Sequence, residues 1–245
     1  MLAVLNPLNP QQKFPPVTQA ARNPNGLLAM GGCLSLPRLE NAYRQGIFPW
    51  FNAGEPILWW SPDPRLILYP EQLKVSRSLG KTLRRGVFEF SFDKAFSHVI
   101  RACSSPRDQR LNTWISADMI AAYEALHQHG LAHSFETWHC GTLVGGLYGV
   151  AMGQVFFGES MFHDVTDASK AALVFACHKL SGWGYRLIDC QVHTGHLASL
   201  GAFEIPRDEF AARLAQHVSL APAPNAWVQK QSAPNSASAK YPWLD

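Results

Sequence analysis

Residues 134–139, 142–152 and 154–162 read as three strand segments whose connections, Cys140-Gly141 and Gly153-Gln154, are short. Breaks this short predict an antiparallel series of three strands. Helical spacing marks other segments. Phe92, Ala95, Phe96, Val99, Ile100 and Cys103 trace one helical stripe. A polar loop is expected over 104–112, and Thr113-Trp114-Ile115 then leads into a helix with Ser116 as N-cap and Gly130 as its stop. Asp167 is expected to cap a helix that carries Leu173, Cys177 and Leu180 on one face and ends at Gly182. Residues 36–46 read as a short helix, with Pro37 in its first turn and Gly46 after its end. Strands are expected at 66–68, 87–92 and 186–192, and helices near 195–201 and 207–218.

Residues 1–24 are rich in Pro and Asn and read as irregular, and residues 26–32 form a glycine-punctuated apolar segment. Two aromatic-proline clusters follow, Ile47-Phe48-Pro49-Trp50-Phe51 and residues 57–65. Their prolines exclude a regular helix and hold the aromatics on turns or extended backbone. The expected organisation is a small N-terminal domain over 1–65, a larger domain over 66–220 and a loose tail over 221–245, which Trp227 and Trp243 could dock. Antiparallel strands, a helix and one more strand make an α+β layout, a mostly antiparallel sheet flanked by helices. The strand order resembles that of acetyltransferase-type (GNAT-type) folds, a likeness of topology that says little about chemistry.

The chain has 245 residues, 47% hydrophobic and 16% charged, which describes an ordinary soluble protein with a sizeable core. No apolar run approaches the roughly 20 residues of a membrane helix. Residues 1–13 lack the basic-then-apolar order of a signal peptide. The five cysteines are scattered and form no Cys-x-x-Cys, so a reducing cytoplasm is the expected home. Net charge is only +3, but Lys74, Arg77, Lys81, Arg84 and Arg85 fall within twelve residues that hold no acid. At helical spacing they share one side, which suits phosphate contacts. A solvated helix face is the plain alternative.

The strand at 186–192 sets Asp189 and Gln191 at i and i+2. Alternation places both on one face, where the carboxylate can orient and polarise the amide. The alternative is a strand-end Asp with its tip in water. Among ten histidines, His193 and His196 form the only tight pair, and His127, His129 and His133 straddle a helix end. No third ligand follows at suitable spacing, so no metal is expected.

Taken together, Pro24-Asn25-Gly26-Leu27-Leu28-Ala29, Gly46-Ile47-Phe48-Pro49-Trp50-Phe51 and Leu58-Trp59-Trp60-Ser61-Pro62-Asp63-Pro64-Arg65 resemble the leucyl/phenylalanyl-tRNA–protein transferase family. Gly145-Gly146-Leu147-Tyr148-Gly149-Val150, Gly158-Glu159-Ser160-Met161-Phe162, Leu187-Ile188-Asp189-Cys190-Gln191-Val192 and Ser199-Leu200-Gly201-Ala202 extend the resemblance in family order. It implies transfer of Leu or Phe, and Met less well, from aminoacyl-tRNA to the α-amino group of proteins that begin with Arg or Lys. The product would be a degradation signal read by a bacterial Clp protease through its adaptor. Such an enzyme would need no cofactor, and its partners would be the aminoacyl-tRNA and the acceptor protein. A monomer off the membrane is expected.

The resemblance also implies roles. Asp189, Gln191 and Glu159 match the family's catalytic and substrate-fixing positions. Gln191 is read as an orienting acceptor for the attacking amine, since an amide oxygen is too weakly basic to be a general base. Two proton routes stay open, a relay in which Asp189 polarises Gln191 and a shuttle through the ribose 2′-hydroxyl with Asp189 supplying negative field, and the second is preferred. Trp50 and Trp114, assisted by Tyr43, match the 3′-adenosine site, where stacking on aromatic faces is worth about 1–3 kcal/mol per base. Leu147, Phe156, Met161, Leu173 and Ile188 are expected to wall the aminoacyl pocket, though core packing explains them almost as well. One departure stands out: the family's helix carries pocket-facing phenylalanines, whereas this chain has Ala176 and Leu180, with Phe175 one position away. The basic segment 74–85 is expected on acceptor-stem phosphates, which it would bind without reading sequence.

Two rival readings differ in kind. An acetyl-CoA-dependent N-acetyltransferase would need a glycine-rich pyrophosphate loop, absent around 164–170. A non-catalytic RNA-binding module would explain the cations and tryptophans but not Asp189, Gln191 and Glu159.

Overall fold

The computed structural model describes residues 2–105, 113–228 and 241. The expected loop at 104–112 falls mostly, and Trp243 wholly, outside these residues. A four-stranded sheet takes up the N-terminal part, in the order β1 (Ala3–Leu5), β2 (Leu27–Gly31), β4 (Leu58–Trp60), β3 (Phe48–Pro49). So residues 1–24, read as irregular, contribute β1, which pairs in parallel with β2. Between β2 and β3 lies α1 (Leu36–Arg44), which has Pro37 in its first turn.

The larger sheet has seven strands. They are ordered β11 (Phe203–Ile205), β5 (Arg65–Leu68), β10 (Leu187–Gln191), β9 (Val155–His163), β8 (Thr142–Met152), β7 (Ala132–His139), β6 (Glu89–Phe92). All neighbours are antiparallel except β9 and β10. Flanking it are α2 (Arg77–Arg84), α3 (Phe96–Ser104), α4 (Ala117–Gln128), α5 (Ala168–Gly182), α6 (Gly195–Ser199) and α7 (Arg207–His217). The α+β expectation and the β7–β8–β9 series both hold. Ser116 caps α4 by accepting from the Met119 N–H at 3.3 Å, and Gly130 follows that helix at φ +70°.

One expected cap differs. Asp167 precedes α5 but sits at φ +68° and makes no side-chain cap hydrogen bond. Its carboxylate turns instead to the Thr82 hydroxyl at 3.2 Å and to Lys170 at 3.2 Å, tying α5 to α2.

One buried cluster runs from Leu5 and Trp59 through Tyr43, Ile67 and Phe157 to Phe210 and Val218, so the two sheets share a core. Each fully buried Phe in it contributes roughly 1.5–3 kcal/mol. A second cluster lies between the larger sheet and α5. The start of the tail is docked rather than loose. Trp227 stacks on His133 with ring centroids 3.6 Å apart and donates to the Tyr185 hydroxyl at 2.8 Å. Among the described residues no helix is long and apolar enough to cross a membrane.

Two irregularities of the larger sheet position the site. Between β8 and β9, Tyr148 pairs with Ser160 but Gly149 with Gly158, leaving Glu159 as the extra residue. Between β10 and β5, Asp189 pairs with Ile67 but Gln191 with Leu66, leaving Cys190 extra. Bulges of this kind re-aim side chains and end regular pairing. Gly149 permits the first: a Cβ there would lie 2.2 Å from the Phe157 carbonyl oxygen. The parallel β9–β10 pairing stops at Asp189 opposite Phe157.

Candidate active site

A cavity of about 570 Å³ lies beside these bulges. Its apolar wall includes Leu147, Phe156, Met161, Leu173 and Ile188, the residues expected there, together with Ala176 and Leu180 of α5. Trp50 and Trp114 line it as well, Trp50 with 46% of its surface exposed. The Trp60 indole holds the Trp50 backbone, donating to its carbonyl at 2.6 Å. Glu159 and Gln191 also line it, as do Ser160, Thr194 and His196.

Asp189 is not on the cavity wall. It is buried and paired with buried Arg65, Nε to Oδ1 at 2.7 Å and Nη2 to Oδ2 at 2.6 Å. The Arg65 guanidinium also lies over the rings of Phe48 and Phe210, at 5.0 and 4.5 Å. Expected to share a face, Asp189 and Gln191 do not, because the bulge at Cys190 interrupts alternation. Nor does Asp189 polarise the Gln191 amide. Asp189 Oδ1 accepts from the Gln191 backbone N–H at 2.9 Å, and Gln191 sits at φ +64°. That conformation costs a non-glycine residue on the order of 1 kcal/mol, and the Asp189 contact holds it. The Gln191 side chain turns instead to Glu159, Nε2 to Oε1 at 3.0 Å.

Glu159 is the hub. The Tyr43 hydroxyl donates to its Oε1 at 2.8 Å, the Tyr123 hydroxyl lies within hydrogen-bond distance of its Oε2 at 3.0 Å, and the two phenol hydroxyls also bond each other. Burial, assisted by the charge of Asp189, raises the Glu159 carboxyl to about 7, against opposing hydrogen bonds from the tyrosines and Gln191. Burial and then Glu159 hold both phenols well above their usual value. Tyr43, expected beside the terminal adenosine, is instead fully buried behind Glu159, with its ring edge-on to Phe157. Tyr148 lines the cavity, and its buried hydroxyl has no hydrogen-bond partner among the described residues.

The cations divide. Only Arg77, Lys81 and Arg84 lie within α2; Lys74 precedes it, its backbone N–H donating to the Leu200 carbonyl at 2.8 Å, and Arg85 is the C-cap. All five are exposed, and none lines the cavity. Leu79 and Leu83 bury the opposite face of α2. Among the histidines, the ligand atoms of Asp93, His127 and His133 lie within 4.8 Å of one another. These groups already serve the fold. His133 bonds Asp93 at 2.7 Å and the Gly130 carbonyl at 3.1 Å, and His127 bonds the Ala132 carbonyl at 2.8 Å.

Sequence reading missed Arg65 and Tyr123 as partners of the two acids. Arg65 closes the tryptophan-proline block, so only its pairing was hidden.

Residues 67–215 match the protein family described as leucyl/phenylalanyl-tRNA protein transferase, and residues 32–63 match its N-terminal domain. A leucyl/phenylalanyl-tRNA–protein transferase of Methylococcus capsulatus is 61% identical over 93% of this chain and 97% of its own. One from Nitrosomonas europaea is 62% identical over 83% and 86%. Solved structures are far looser matches. L-PGS from Bacillus licheniformis aligns at TM-score 0.38 and 10% identity over 62% of this chain and 51% of its own. A GCN5-related N-acetyltransferase from Kribbella flavida aligns at 0.35 and 10% over 66% and 57%. Likeness this loose carries nothing about the site.

Proposed function

The chain belongs to the leucyl/phenylalanyl-tRNA–protein transferase family, and on that premise we propose that it transfers Leu or Phe, and Met less well, from aminoacyl-tRNA to proteins that begin with Arg or Lys. The new N-terminus marks the acceptor for degradation. One observation carries the reading: the cavity joins an apolar wall to two tryptophans and to a pair of hydrogen-bonded polar side chains. An aminoacyl side chain suits the wall formed by Leu147, Phe156, Met161, Leu173 and Ile188. The terminal adenine suits the faces of Trp50 and Trp114. Lys74, Arg77, Lys81, Arg84 and Arg85 would follow acceptor-stem phosphates.

Chemically the step is aminolysis. The amine nitrogen forms a bond to the ester carbonyl carbon, the C–O bond to the ribose breaks, and an amine proton ends on the departing 3′-oxygen. The ester is already activated, so the obstacles are positioning and the proton. An α-ammonium of pKa about 8 is mostly protonated at neutral pH and cannot attack. With its NH₂ committed to Glu159, Gln191 has its carbonyl oxygen left to accept from the amine and orient its lone pair. The ribose 2′-hydroxyl would carry the proton to its neighbour. Asp189 acts at one remove, by holding the Gln191 backbone.

The test is leucine transfer from Leu-tRNA to two peptides that differ only in starting with Arg or Ala. Transfer to the Arg peptide alone supports the reading. Equal transfer to both removes the acceptor rule, and transfer to neither removes the activity. Action in the cytoplasm, as a monomer and with a boundary near Arg65, belongs to the same proposal.

A further inference from the structure

Tyr43, Tyr123 and Glu159 touch one another pairwise, so three hydrogen bonds close into a ring. Three hydrogen bonds require three protons. Each phenol brings one, and an ionised carboxylate brings none. With Glu159 ionised, one side of the ring would be two oxygen lone pairs facing each other, in a place where Tyr43 and Tyr123 are both fully buried. A carboxylic acid supplies the missing proton and satisfies all three sides. Gln191 sets the sense of the ring. Its amide donates to Oε1, which also receives Tyr43, so Oε1 is the carbonyl-like oxygen. The protonated Oε2 then donates to Tyr123, Tyr123 to Tyr43, and Tyr43 back to Oε1.

We propose that Glu159 is a neutral carboxylic acid in the unliganded protein and that, in this form, it is a positioning residue for the aminoacyl transfer. The surroundings agree from each side. Tyr43 on α1, Tyr123 on α4 and Tyr148 on β8 bring neutral phenols. On β10, Asp189 is already matched by Arg65 of β5. His196 of α6 lines the same cavity. Among the described residues no cation is bonded to Glu159 to fix its charge.

Neutrality has a use in the reaction. An anionic Glu159 at the cavity wall would pair with the incoming α-ammonium and stabilise the form that cannot attack. With one acid protonated and the other paired to Arg65, neither holds the amine in its charged state. The ring also fixes the carboxyl plane, and through Oε1 the Gln191 amide. The positioning half of the proposal rests on the aminoacyl-transfer reading; the protonation half does not.

Infrared difference spectroscopy of the whole protein separates the two. The expected result is a protonated-carboxyl C=O band that is present at about pH 6, where an ordinary Glu is ionised. The band should be missing from Glu159→Gln and fade as pH rises past about 7. In transfer assays Glu159→Ala should lose about a hundredfold in kcat, the scale of a misplaced reacting group, with KM for Leu-tRNA little changed. Glu159→Gln, whose amide can replace the acid's O–H with an N–H, should recover most of that loss. Absence of a Glu159-dependent band at about pH 6 overturns the protonation half. A band together with a Glu159→Gln variant no better than Glu159→Ala overturns the positioning half. A band in a protein that transfers nothing overturns the aminoacyl-transfer reading and the positioning half with it, and leaves the protonated ring standing.

Discussion

Arg65 and Asp189 are joined by two hydrogen bonds in the interior, at 2.7 and 2.6 Å, and the same Asp189 oxygen that takes the Arg65 Nε also holds the Gln191 backbone. The ion pair is therefore the post on which the left-handed Gln191 conformation stands. Removing one partner strands a buried charge, which costs about 3–5 kcal/mol. Arg65→Met and Asp189→Leu should each lose stability on that scale. The double variant should regain much of it, because no charge is left unpaired. Leucine transfer should nonetheless stay down by about a hundredfold, because nothing then anchors Gln191. Urea denaturation and single-turnover transfer on the three variants check this. A double variant that recovers activity along with stability would rule out the anchoring role.

Glu159 makes stability depend on pH in a definite direction. Folding raises its carboxyl from about 4.5 to about 7. Within that window the folded protein holds a proton that the unfolded chain has released, so Glu159 makes stability fall as pH rises through it and has no further effect above. Glu159→Gln lacks this loss. Its stability relative to the parent should improve by on the order of 2–3 kcal/mol between about pH 5 and pH 8. Denaturation curves across that range decide it. A difference that stays constant with pH would show that Glu159 titrates normally.

Strand succession and helix stops were legible in the sequence, because each follows from spacing within a segment. Leu147, Phe156, Met161, Leu173 and Ile188 were named through the family resemblance rather than from spacing, and all line the cavity. What sequence reading missed depends on strands meeting at a distance. Arg65 reaches Asp189 across 124 positions, and Tyr123 reaches Glu159 across 36. The bulges at Glu159 and Cys190 break the two-residue period itself, so alternation put Asp189 on the wrong side of its strand. Gly149 is the local trace of one bulge, but its meaning depends on the partner strand. Tyr43 was expected at the adenosine because the fold's direction of burial cannot be read from α1 alone.

Ala176 lines the cavity from α5, where a larger side chain would take its space. Ala176→Phe should therefore disfavour the bulkier aminoacyl group, shifting the Phe-to-Leu ratio of kcat/KM tenfold or more toward Leu, the scale at which a pocket separates substrates by size. Overpacking should cost about 1–3 kcal/mol of stability. Competition between Phe-tRNA and Leu-tRNA at equal concentration measures the shift. An unchanged ratio would put the aminoacyl side chain elsewhere.

The exposed cations of α2 should contribute to tRNA affinity through counterion release. Replacing Lys81 and Arg84 by Ala should weaken tRNA binding and reduce the slope of log K against log salt by about 0.7–0.9 for each phosphate no longer neutralised. Fluorescence anisotropy with labelled tRNA over a salt series reads both quantities. A parallel line with the same slope would place the tRNA backbone on another face.

In the proposed reaction Gln191 serves the chemistry at the cavity rather than the holding of tRNA, and everything else proposed for the site leans on that role. Gln191→Ala probes it without an intermediary, with leucine transfer followed in a single turnover and Leu-tRNA binding measured on the same preparation. Transfer should fall by about a hundredfold or more, while the dissociation constant stays within about threefold of the parent. Transfer that survives the substitution, or a loss wholly explained by weaker tRNA binding, would overturn the assignment.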